Sequence, residues 1–141
     1  MTHATANDRL VVIHVGLDLV SVEAVAEALH GPNGERYLTR VYTDGEIADC
    51  RTSAGVDPVR LAGRFAAKEA ALKSLSIAHF GVSLRDIEVR TEPSGGVRLA
   101  LHGRAARLAA EAGVIAMTLS LTHERGLAAA IVVADRRASP G

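Results

Sequence analysis

Aromatic side chains are scarce in this chain: two Tyr, two Phe and no Trp among 141 residues. The stacking platforms that single-stranded nucleic acid needs are therefore largely missing, and the core must come from Val, Leu, Ile and Ala. Cysteine is nearly absent too. The single Cys50 forms no intrachain disulfide, which fits a reducing cytoplasm. Neither sign of charge dominates, with 16 Lys and Arg against 16 Asp and Glu. No overall basic field draws the chain to nucleic acid, so any basic surface is local. No apolar run spans a membrane, and the first one, Leu10 to Val15, is short and follows Asp8-Arg9, unlike a signal peptide. There is no repeat at a solenoid period. The length gives one domain with a real core, expected over residues 9–135 between a disordered stretch at 1–8 and a mobile tail at 136–141.

Residues Arg9 to Val20 are β-branched and apolar on both faces, the pattern of a central strand buried on two sides. Asp18 is out of place near its end, and Gly16, two residues earlier on the same face, removes a side chain where something must come close. Asp18 is either the N-cap of the next helix or a functional carboxylate. His14, roughly 13 Å from Asp18 along an extended strand, is too distant to share a metal with it and reads as a core histidine. Ser21 to His30 reads as helix, stopped by the turn Gly31-Pro32-Asn33-Gly34. Glu35 to Val41 reads as a short helix with Arg36 and Arg40 on one face. Thr43-Asp44-Gly45-Glu46 is a capping box for a helix reaching about Arg51, and Thr52 to Val56 is a loop. Pro58 suits the first turn of a long helix ending near Leu75. Asp86–Thr91 and Val97–Leu101 form a hairpin, Gly103–Ala112 a helix, and Met117–His123 with Leu127–Ala134 a second hairpin. The sum is α+β, a mostly antiparallel sheet with packed helices, entered by the first strand and completed by two hairpins.

The long helix carries the chemistry. On its wheel Leu61, Phe65 and Leu72 form one stripe, and Glu69 sits inside it. Arg64 and Lys68 flank that stripe on one side and Lys73 on the other, while Ala67, Ala70 and Ala71 let a second element approach. A carboxylate aimed at a core needs a cation, a metal or several donors. Two readings stay open: an internal ion-pair network with Glu69 paired to Lys73 at i,i+4, or a hard-cation site with a fan of cations for anionic charge.

Three segments together carry a resemblance. Val15-Gly16-Leu17-Asp18-Leu19-Val20, then Arg64-Phe65-Ala66-Ala67-Lys68-Glu69-Ala70, then Ser120-Leu121-Thr122-His123-Glu124 with Ala128-Ala129-Ala130, resemble the signatures of holo-acyl-carrier-protein synthase, the small trimeric class of 4′-phosphopantetheinyl transferases. The resemblance runs from about Leu10 to Asp135. It implies that fold as a homotrimer, and a Mg²⁺ site at Asp18 and Glu69. It implies coenzyme A as co-substrate, with Arg64, Lys68, Lys73 and His123 at its anionic groups. It implies transfer of 4′-phosphopantetheine to a serine of an acidic apo acyl carrier protein, releasing 3′,5′-ADP, with Asp18, Glu69 and Lys73 catalytic. The serine proton would go to Glu69 or to a water that it orients. Arg36 and Arg40 match basic positions of the family and would dock the carrier.

Three departures from the family pattern stand out. Ala24 replaces a common arginine, Ser21 a common glutamate, and Ser76-Ile77-Ala78-His79 the usual Gly-Thr-Gly turn near the coenzyme. Two alternatives remain: a Mg²⁺-dependent nucleotide phosphohydrolase using the same carboxylates, and a non-catalytic module that binds coenzyme A or a carrier.

Overall fold

The computed structural model describes residues 10–76 and 81–138. Strand β1, Val11–Ser21, leads into α1, Val22–His30, and α2, Gly34–Val41. Ser21 caps α1 by accepting the Ala24 N–H at 3.2 Å, so Asp18 is not the cap. The capping box forms on α3, Asp44–Asp49, where Thr43 Oγ1 accepts the Glu46 N–H and Glu46 Oε1 accepts the Thr43 N–H. Arg51–Thr52 and Gly55–Val56, expected as helix end and loop, are two short paired strands, β2 and β3. Helix α4, Pro58–Ser74, follows, capped by Asp57. A 3₁₀ turn at Leu84–Asp86 precedes the hairpin β4, Ile87–Thr91, and β5, Val97–Leu101; then come α5, Gly103–Glu111, β6, Val114–Glu124, and β7, Leu127–Arg137.

The antiparallel sheet has three strands in the order β1-β7-β6, and β4–β5 form a separate pair instead of completing it. Arg125 and Gly126, both at positive φ, close the tight β6–β7 turn. Strand β7 runs beyond the expected end of the domain, because Asp135, Arg136 and Arg137 pair with Ile13, Val12 and Val11. The expected disordered stretch at 1–8 and the Ser76–His79 turn, from Ile77 on, lie outside the described residues.

Helix α4 lies across the sheet. Its Ala66, Ala67, Ala70 and Ala71 are fully buried, as is Leu61, and with Val132 and Ala130 of β7 they make the core. A Cβ on Gly16 would collide with the Ala70 carbonyl, so the glycine is what lets α4 and β1 touch. The expectation that β1 is buried on both faces needs correcting. It is an edge strand, and its outward side chains Ile13, Val15, Leu17 and Leu19 are 64, 55, 61 and 62% exposed. Ile131 of β7, directly opposite Leu17, is exposed on the same face. Both faces of the strand are apolar, but only the one toward α4 is covered within the chain. Among the described residues no helix is long and apolar enough to cross a membrane.

Candidate active site

Asp18 shares its face of β1 with Gly16 and Val20, the face that meets α4. Gly16 abuts Ala70 and Ser74, whereas Val20 and Phe65 line one small cavity, so α4 runs antiparallel to β1. Glu69 lies between those two contacts and so stands level with Asp18. Lys73, one helical turn beyond Glu69, donates to Asp18 Oδ1 at 2.9 Å and to the Leu17 carbonyl at 3.0 Å. The Asp18 side chain is only 17% exposed, against 52% for Lys73. The structure thus joins Lys73 of α4 to Asp18 of β1 across 55 positions of sequence, one helical turn from Glu69.

The other cations of α4 go elsewhere. At 100° per residue Arg64 and Lys73 point about 180° apart, so they cannot form one fan within a chain. Arg64 donates to Thr91 Oγ1 of β4 at 3.2 Å and to the Arg60 carbonyl at 3.3 Å, while its buried Nε has no hydrogen-bond partner among the described residues. That guanidinium lines a cleft of about 430 Å³ together with Arg60, Gly63, Leu121, Thr122 and His123. His123, exposed at the end of β6, also borders a second depression that continues over Leu19, Leu127 and Ala129 onto the uncovered sheet face. Neither hollow is lined by Asp18, Glu69 or Lys73.

Lys68 requires a correction. It has no exposed surface, and its ammonium donates to Glu46 Oε1 at 2.7 Å and to the carbonyls of Leu84 and Ile87 at 2.9 and 2.7 Å. A lysine has three N–H donors, and all three are spent inside the protein, so Lys68 offers nothing to a coenzyme phosphate. Burial pushes its pKa down, and the Glu46 carboxylate works against that shift. Glu46 also accepts the Val89 N–H at 3.0 Å, which ties α3, α4 and β4 together. Its reach to Lys68 escaped the sequence, where the glutamate already had a local explanation in the capping box. Arg60 escaped as well, being marked by no motif. Cys50 is buried with its thiol pushed up to about 11, chiefly by desolvation, so it is no nucleophile.

The model of the 4′-phosphopantetheinyl transferase superfamily matches residues 14–132, a span that includes Asp18, Glu69, Lys73 and His123. The chain belongs to that family. A holo-[acyl-carrier-protein] synthase of Carboxydothermus hydrogenoformans is 42% identical over 118 residues, which is 84% of this chain and 94% of the relative. One of Halothermothrix orenii is 39% identical over 121 residues, 86% of this chain and 95% of its own. Among solved structures, the coenzyme A complex of the Chronobacterium ammoniagenes synthase superposes with a TM-score of 0.79 at 32% identity, covering 90% of this chain and 99% of that one. This transferase therefore has the α+β architecture of its relatives through nearly their whole length. Buried Arg64 and half-exposed Lys73 sit on opposite flanks of one helix.

Proposed function

We propose that this transferase moves 4′-phosphopantetheine from coenzyme A to a serine of an apo acyl carrier protein. Curated relatives bear the name of that activity, and solved relatives hold coenzyme A. The observation that carries the reading is the Lys73–Asp18 bond where β1 meets α4, on the helix that also carries Glu69. The serine hydroxyl attacks the phosphorus that bears pantetheine; a new O–P bond forms, the P–O bond to 3′,5′-ADP breaks, and the serine proton passes to a base. Glu69, directly or through a water, would take it.

Mg²⁺ fits the donor set. Asp18 and Glu69 are hard oxygen ligands on two facing elements, few in number, as suits an ion that keeps waters and substrate oxygens. Bound there, it would stabilise charge developing on the transferred and leaving phosphates. Lys73 adds a half-exposed ammonium beside the same carboxylate. Arg64, with an unused buried Nε, and His123 would take the remaining anionic groups of coenzyme A from their cleft.

The uncovered apolar face of β1 and β7 suits burial against further copies, as in a homotrimer. The His123 cleft opens beside that face and, though lined by Asp57, lacks Asp18 and Glu69, which favours a complete site built from two chains. Exposed Arg36 and Arg40 on α2 would dock the acidic carrier.

Intact-mass spectrometry of an apo carrier, incubated with this protein, coenzyme A and Mg²⁺, tests the reading. The expected result is a gain of one phosphopantetheine, lost on adding EDTA. Breakdown of coenzyme A with an unmodified carrier would replace it with the phosphohydrolase.

A further inference from the structure

Lys68 and Lys73 are the only lysines in the sequence, and α4 treats them in opposite ways. Lys68 is locked, with both members of its ion pair fully buried and two backbone carbonyls completing its bonds. Lys73 is half-exposed and holds β1 through one carboxylate oxygen and one carbonyl. An ion pair with one partner at the surface holds weakly and separates at little cost. Asp18, by contrast, is largely covered, and its charge needs a counter-ion whenever no metal is present.

We propose that Lys73 is an exchangeable counter-ion: it neutralises Asp18 until a hard divalent cation arrives, then gives up Oδ1 and turns to the phosphate that accompanies the metal. This rests on the Mg²⁺ assignment to Asp18 and Glu69 and extends it. The ammonium stands 2.9 Å from an oxygen that the metal requires, so the two cations compete and repel. The side chain is tethered one turn from Glu69, so a displaced Nζ remains beside the metal and meets an arriving phosphate. A single residue thereby opposes metal binding in the free enzyme and supports coenzyme binding in the loaded one. That couples the two ligands, since whatever draws Lys73 off Asp18 helps the metal on.

The test uses the full chain with Mn²⁺ as the probe, free ion being read by electron paramagnetic resonance without coenzyme. Lys73→Gln should bind Mn²⁺ about tenfold more tightly than the wild type, and less so as salt rises, with Lys73→Arg close to wild type. With Mn²⁺ saturating, Lys73→Gln should bind coenzyme A at least about tenfold more weakly, a shift in the opposite direction. A lysine that merely props Asp18 in place would instead weaken both ligands on removal. In the wild type the two lysine side-chain NMR signals give an independent reading. Mg²⁺ alone should shift the Lys73 signal and leave Lys68 in place.

Equal or weaker Mn²⁺ binding by Lys73→Gln, or an unmoved Lys73 signal at saturating Mg²⁺, overturns the exchange and leaves the metal site standing. No saturable Mn²⁺ binding by either protein removes the metal assignment and the exchange together.

Discussion

Gly16 of β1 lies directly against the backbone of Ala70 in α4. A methyl group on it would strike the Ala70 carbonyl and stand 2.8 Å from the Ser74 nitrogen. Both obstacles are backbone of a buried helix, so neither can rotate away. Gly16→Ala should cost at least the upper part of the ~1–3 kcal/mol typical of overpacking, read as a lowered urea midpoint. Because Asp18 is two residues along the same face, the variant should also lose transfer activity more steeply than its stability loss accounts for.

The Glu46–Lys68 pair predicts an asymmetry. Lys68→Met leaves a carboxylate buried and uncompensated and should cost about 3–5 kcal/mol, as should Glu46→Gln for the converse reason. The double variant should recover a large part of the sum, and a double-mutant cycle by urea unfolding measures the coupling. Simple additivity of the two losses would count against the pair.

Much of this was readable locally. The Thr43–Glu46 box and the turn that ends the first helix at His30 are each settled within a few residues, whereas Gly16 announces a close approach without saying that Ala70 makes it. Asp18 and Glu69 stood out because charges on apolar faces need partners. Lys68 did not reveal its fate, since its partner Glu46 is 22 residues away and its carbonyl acceptors lie in a separate 3₁₀ turn and the first residue of the hairpin after it. The apolar outer face of β1 misled for a related reason. A hydrophobic pattern reports that a face is to be covered, but not whether the cover comes from the same chain.

Glu88 makes stability depend on acid pH. Burial alone would raise its pKa, but hydrogen bonds from Thr43 at 2.7 Å, Arg90 at 2.9 Å and His102 at 3.0 Å hold it at about 2, below the ordinary 4.5. A carboxylate with a depressed folded value contributes stability that is complete above its unfolded value and is lost as pH falls through the folded one. The urea midpoint should therefore drop between pH 4.5 and about 2. In Glu88→Gln that part of the drop should be missing; an identical pH profile would contradict the assignment.

Charge reversal at Arg36 and Arg40 tests the docking surface. The pair Arg36→Glu and Arg40→Glu should raise KM for the carrier about tenfold or more, with KM for coenzyme A unchanged. The difference should shrink as ionic strength rises. An unchanged carrier KM would move the docking surface elsewhere.

In the proposed homotrimer, the Asp18 and Glu69 carboxylates of one chain would work with the His123 cleft of another. Asp18→Asn and His123→Ala, each expected to be nearly inactive alone, can be co-expressed with different tags and the mixed oligomer purified through both. Its activity is then read as phosphopantetheine mass added to an apo carrier. A shared site predicts clear recovery, because some interfaces in the mixture pair an intact Asp18 with an intact His123. A mixed oligomer no more active than its parents would contradict the shared site and place every catalytic group within one chain.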